Sequence, residues 1–155
     1  MKKTNAMRLL EQAGIPFEAR EYDGEAGRIG GEEIARRLGQ PPELVCKTLV
    51  TCTEHREYFV FAIPVEKTLD LKKAARAAGV KALAMLPLAR LFPLTGYVHG
   101  GCSPIGMKSP FPVFIDSSLE GRPEMFLSGG RIGLNLKVEP AALAALVSAR
   151  FAPLT

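Results

Sequence analysis

Cysteine is scarce in this chain, and the three present, Cys46, Cys52 and Cys102, sit at no paired spacing. That odd count fits free, buried thiols in a reducing compartment, not a disulfide framework. Histidine is scarcer still. His55 and His99 stand far apart and neither belongs to a ligand-spaced pair, so no metal or other cofactor is expected. No apolar run approaches the ~18 residues that would cross a bilayer. The start, Met1-Lys2-Lys3-Thr4-Asn5, enters an amphipathic segment containing Arg8 and Glu11, without the apolar stretch of a signal peptide. The expectation is a cytoplasmic protein with no membrane contact. No run of Lys and Arg is longer than two residues; Arg36-Arg37 and Lys72-Lys73 are such pairs, both inside expected helices. A polybasic arm is therefore excluded. The formal net charge of +4 permits a nucleic-acid or phosphate ligand without arguing for one.

What is present is a globular composition. Of 155 residues, 47% are hydrophobic and 23% charged, which suits one domain spanning residues 1–155 with a sizeable core. A helix is expected from Thr4 to Ala13, stopped by Gly14, and then a half-exposed strand with period-two alternation from Phe17 to Tyr22. Gly24 to Gly31 reads as a flexible connection, and a helix follows from Glu32 to Leu38. The apolar run around Lys47 pairs with Tyr58–Ile63 across a turn at Thr53 to Arg56. Asp70 is placed to cap a helix over Leu71–Ala78, and Pro87 to open a short one ending near Phe92. Glycines and prolines between Gly96 and Pro112 forbid a long helix or central strand there, while Tyr97, Val98, Ile105 and Met107 imply that the loop is packed. Strands are expected at Val113–Asp116, Glu124–Leu127 and Leu134–Val138, and a helix from Pro140 through Arg150. Helices and strands alternate irregularly, which predicts a mixed α/β sheet and not a doubly wound one.

Lys47 stands out within this pattern. One strand face carries Val45, Lys47 and Leu49, and the other carries Cys46, Thr48, Val50 and Cys52, so both are mostly apolar. Burying an ammonium there is costly unless an anion or a ring of acceptors meets it. The competing reading is a lysine at the strand end whose amine reaches water. Two glycine-rich loops accompany it, Gly100-Gly101-Cys102-Ser103-Pro104-Ile105-Gly106 and Ser128-Gly129-Gly130. Adjacent glycines let backbone N–H groups approach a ligand closely and hold a carbonyl or phosphate oxygen. A dinucleotide-binding reading of Gly129-Gly130-Arg131-Ile132-Gly133 fails, because a strand follows where a helix is required.

In this order, Cys46-Lys47-Thr48-Leu49, Leu69-Asp70-Leu71-Lys72-Lys73, Thr95-Gly96-Tyr97, the Gly100–Gly106 loop, Ile115-Asp116 and Ser128-Gly129-Gly130 resemble the YbaK-type aminoacyl-tRNA deacylases. These are freestanding relatives of the editing domain of bacterial prolyl-tRNA synthetase. The resemblance spans essentially the whole chain. It implies a single-domain α/β fold with a mixed, barrel-like β-sheet flanked by helices. It implies hydrolysis of the ester that joins a wrong amino acid to the 3′ adenosine of tRNA, with aminoacyl-tRNA as ligand and prolyl-tRNA synthetase as a candidate partner. It places catalytic roles at Lys47 and Gly101, and substrate contacts at Tyr22, Thr48, Gly100, Ser103, Pro104, Ser128, Gly129 and Asn135. The resembling pattern has Gly-Leu-Asp where this chain has Gly133-Leu134-Asn135. An amide keeps hydrogen-bonding capacity but can neither act as a base nor neutralise Lys47.

No Ser-His-Asp or Cys-His arrangement is evident, and Cys102 has no local base. The family resemblance implies instead that the thiol of a cysteinyl ester attacks its own carbonyl carbon and leaves as a small cyclic thiolactone, formally a lyase-like release. Lys47 would add positive potential, the N–H groups around Gly100 and Gly101 would receive the carbonyl oxygen, and Tyr22, Thr48 and Ser128 would position the ester. Two alternatives stand beside this: a deacylase of alanyl- or seryl-tRNA that uses water, and a non-catalytic module that binds aminoacyl-tRNA or a synthetase.

Overall fold

The first helix begins one residue after its expected start, because Thr4 is its cap. In the computed structural model, which describes residues 1–155, the Thr4 hydroxyl accepts the Met7 N–H at 3.3 Å and opens α1 (Asn5–Gln12). Helix α1 buries Ala6, Met7 and Leu10 against β7 (Leu134–Val138) and α5 (Pro140–Val147). Strand β1 (Phe17–Glu21) pairs antiparallel with β7, and β7 pairs antiparallel with β6 (Met125–Ser128), giving a three-stranded sheet ordered β1-β7-β6.

The second sheet is mixed, as expected. Its order is β4-β2-β3-β5-β8, built from β2 (Cys46–Cys52), β3 (Tyr58–Pro64), β4 (Ala84–Met85), β5 (Val113–Asp116) and β8 (Arg150–Ala152). β2 runs antiparallel to β3 and β4, while β3–β5 and β5–β8 are parallel. The alternation of β3 separates its two faces. Phe61 and Ile63 pack with Ala74 and Ala75 of α3 (Leu71–Ala78), and Val60 packs with Leu91 of α4 (Leu88–Thr95). α3 and α4 therefore cover opposite faces of this sheet. α2 (Gly31–Leu38) packs Ala35 against Val45, Val65 and Phe126.

The two sheets meet at a single parallel bridge, Val45 to Phe126, without closing into a full barrel. There the Phe126 N–H donates to the Leu44 carbonyl at 2.8 Å.

Most boundaries fall within a residue of the sequence expectation; the larger departures are at α5, α4 and β4. α5 ends at Val147, because Ser148 turns left-handed (φ 54°), and Arg150–Ala152 becomes β8 beside β5. The Ala- and Leu-rich tail carries no stop signal of its own; pairing with β5 decides its end. α4 continues past Phe92 through Pro93 to Thr95, with the Pro93 carbonyl accepting Lys108 Nζ at 3.3 Å. β4, two residues long, exists only through its pairing with Thr51 and Cys52. The loop after Gly96 is packed as expected: Cys102, Ser103 and Ile105 are buried, and the Tyr97 hydroxyl donates to the Ile105 carbonyl.

Candidate functional site

β2 has one edge that its neighbours leave partly open. Along that edge the Leu44 carbonyl is taken by β6 and the Val50 carbonyl accepts the Leu86 N–H at 3.0 Å. Strand alternation puts the backbone N–H and C=O of Thr48 on the same side, in the gap between those two attachments. A cavity of about 260 Å³ fills this gap. Its walls come from β2 (Cys46 to Leu49), the start of α2, Tyr22 after β1, Ser128 and Asn135 from β6 and β7, and the loop residues His99, Gly100 and Cys102.

Six of the residues singled out in the sequence meet here: Tyr22, Lys47, Thr48, Gly100, Ser128 and Asn135. Ser128 and Asn135 are cross-strand partners, which sets both side chains on one face of the three-stranded sheet. The Ser128 Oγ accepts the Gly130 N–H at 3.1 Å and so shapes the glycine turn. Tyr22 is half-buried, and desolvation raises its phenol above the ordinary tyrosine value.

The other four lie outside the cavity wall and do structural work. Gly101 rests against the second glycine turn, where an added Cβ would stand 3.0 Å from the backbone of Arg131 and Ile132. Its N–H donates to the Val98 carbonyl at 3.0 Å. The N–H groups of Gly100 and Cys102, which do line the cavity, have no acceptor within the protein. Ser103 is fully buried and its hydroxyl accepts the Ile105 N–H at 3.2 Å. Pro104 lines a separate depression with Met107 and Phe111. The Gly129 carbonyl accepts the Thr4 hydroxyl at 2.6 Å, which ties the glycine turn to the cap of α1.

Electrostatically the cavity is one-sided. Lys47 is half-buried and its ammonium makes no ion pair or hydrogen bond with the protein, and no Asp or Glu lines the wall. Gly30 opens α2 with no side chain capping its N–H groups, and Gly30 and Gly31 face the same space. The two buried side-chain polar atoms in the chain that lack any partner, Thr48 Oγ1 and Asn135 Oδ1, both belong to residues of this wall. Orphaned buried polar atoms are uncommon and costly. Together with the unpaired cation they describe a site shaped for an oxygen-rich, electron-rich ligand that also offers donors. Ile29, Ile34, Val45, Val65 and Leu91 supply an apolar remainder. Sequence reasoning passed over Ile29 to Gly31 as a flexible connection. The apolar Ile29 among glycines was the available signal.

Cys102 sits at the wall, buried and without a base beside it. Burial raises its thiol to about 12, leaving almost no thiolate near neutral pH. Cys46 is likewise buried and its thiol shifted up by desolvation. All three cysteines are free, and only Cys52 is partly accessible. Iodoacetamide at pH 8 is accordingly expected to add a single carbamidomethyl group, at Cys52, by mass spectrometry of the folded protein. Alkylation of Cys102 under those conditions would contradict its burial.

The chain has relatives among known proteins, in sequence and in fold. Residues 29–146 match the aminoacyl-tRNA editing domain family. Over 154 residues the chain is 38% identical to EbsC of Enterococcus faecalis, described as a candidate Cys-tRNA(Pro)/Cys-tRNA(Cys) deacylase, covering 99% of this chain and 94% of that one. A solved structure described as a candidate trans-editing enzyme for prolyl-tRNA synthetase superposes with a TM-score of 0.83 at 28% identity over 99% of both chains. A hypothetical protein of known structure shares the fold at TM-score 0.84 and 22% identity, over 95% of this chain and 96% of its own. This chain belongs to the aminoacyl-tRNA editing domain family.

Proposed function

We propose that this protein, as one domain over residues 1–155, is a freestanding deacylase that clears cysteine from mischarged proline tRNA. The attacking group in this reaction is the substrate's own thiol. The sulfur bonds to the carbonyl carbon of the ester, the bond from that carbon to the ribose oxygen breaks, and the thiol proton passes to the departing 3′-oxygen. Free tRNA and a small thiolactone result. One observation carries this: a cavity with an unpaired lysine, free backbone donors and orphaned Thr48 and Asn135, in which no carboxylate lines the wall, Cys102 is held as a thiol, and the one imidazole, His99, has no carboxylate to orient it as a base. A site of this kind can hold an ester and stabilise an oxyanion, and it suits a substrate that brings its own nucleophile. Intramolecular attack supplies one at an effective concentration on the order of 10⁵ M or more when well oriented.

Lys47 supplies positive potential at the reacting ester, and the Gly100 and Cys102 N–H groups receive its carbonyl oxygen. Tyr22, Thr48, Ser128 and Asn135 hold the terminal ribose and the amino acid's backbone. Relatives described as acting on Cys-tRNA(Pro) and serving prolyl-tRNA synthetase support this choice of substrate and make that synthetase the candidate partner.

The test is steady-state release of amino acid from Cys-tRNA(Pro), Ser-tRNA(Pro) and Ala-tRNA(Pro). Cysteine release faster than serine release by ~10² or more is expected, since the two esters differ only at the attacking atom. Comparable rates on all three would replace thiol attack by water attack. Turnover of none would leave a binding module.

A further inference from the structure

The chain's acidic residues are not spread evenly. The chain carries 20 Lys and Arg against 16 Asp and Glu. Residues 71–115 hold six of those cations and none of the carboxylates, so the remainder has 14 cations against 16 carboxylates. The same stretch gathers exposed apolar surface: of Met1, Leu71, Met85, Leu88, Phe92 and Val98, four fall between residues 85 and 98. These belong to β4, α4 and the segment that runs directly into the cavity wall at His99 and Gly100. α4 itself sends Leu91 into that wall, while Leu88 and Phe92, one turn apart, stay 66% and 56% exposed. Lys108 Nζ lies over the Phe92 ring at 5.6 Å, and the exposed Arg90 donates to the Tyr58 hydroxyl and lies over its ring at 5.6 Å, with no carboxylate neutralising it.

On the view that the cavity takes the aminoacyl ester of tRNA, we propose that the exposed face of α4 is the platform for the single-stranded 3′ end leading to that ester. Phe92 stacks on a base, and Lys108 and Arg90 meet the phosphates. An exposed aromatic with cations and no nearby acid in sequence is the chemistry that holds unpaired nucleotides without reading their identity. A bare apolar helix face would suit a protein partner equally well. The 45 residues without a carboxylate favour a polyanion.

Opposite sides of the five-stranded sheet provide the control. α3, on the other face, carries Lys72 and Arg76 in the same acid-free stretch. The measurement is binding of fluorescently labelled, uncharged proline tRNA by anisotropy, which needs no turnover. Arg90→Gln with Lys108→Gln is expected to weaken binding about tenfold and to flatten its salt dependence by ~0.7 per lost phosphate contact. Lys72→Gln with Arg76→Gln, of equal charge change, is expected to leave the salt slope unaltered. Phe92→Leu keeps apolar area but no ring and should weaken binding by roughly tenfold, whereas Phe92→Trp should restore it. Equal losses from the two double variants would reduce the effect to net charge and overturn the platform. So would wild-type affinity in Phe92→Leu. Absence of deacylation with the α4-specific binding losses intact would instead strike at the proposed reaction alone.

Discussion

Lys47→Ala is expected to leave a folded protein whose kcat/KM on Cys-tRNA(Pro) has fallen by ~10²–10³, the range seen when a preorganised stabiliser of developing charge is removed. The structure separates the two effects. The Lys47 ammonium makes no ion pair and no hydrogen bond within the protein, so its loss strands no partner. Its neighbours across the strand pair, Ile63 and the β3 core, keep their contacts. Thermal unfolding should therefore stay within a few degrees of wild type. Lys47→Arg keeps the charge but spreads it over a planar fork, and should recover only part of the rate. A loss confined to kcat would place the ammonium at the reacting carbonyl, and a loss confined to KM would place it at the phosphate. Full activity in a folded Lys47→Ala protein would remove the residue from the site altogether.

Such independence between activity and stability is unusual for a half-buried charge, and it follows from the composition of the wall. A buried cation normally survives by pairing with a carboxylate. Here the position where the resembling pattern has an acid is Asn135, and no other carboxylate lines the cavity. The charge of Lys47 is left uncompensated for whatever enters.

Much of this was readable from the residues. The Lys47 strand carried its own signal, a cation on a two-sided apolar segment, and the structure places it at a cavity. The cap expected at Asp70 formed as its side chain dictates, and Thr4, where the first helix was expected to start, is its cap. What escaped reading depends on long-range pairing. Arg150–Ala152 looks like the tail of a helix until β5 offers it an edge, and Ala84–Met85 has no strand pattern apart from β2. The glycine loops were legible as close approaches, but not which N–H each would free. Only the folded loop shows Gly101 spending its donor on Val98 while Gly100 and Cys102 keep theirs. Residue type set the possibility, and turn geometry assigned the role.

Thr48→Val and Asn135→Leu are expected to make the protein more stable and less active. Thr48 Oγ1 and Asn135 Oδ1 are buried without partners, and an unsatisfied buried polar group costs about 1–3 kcal/mol. Both replacements keep approximate volume while removing that cost, and the same wall already carries Val45, Val65 and Leu91. For a chain of this length each kcal/mol raises Tm by about 2–4 °C. A rise of several degrees by calorimetry should accompany a drop in kcat/KM of about tenfold or more for each variant, since a hydrogen bond to the ester or ribose goes with the polar atom. Paired losses would be less than additive, because both atoms border one ligand. Variants with lowered Tm and undiminished rates would mean the two groups serve the fold. The expected opposite result identifies their unsatisfied state as held in reserve for the ester and ribose, in the same cavity where Lys47 waits without a counter-ion.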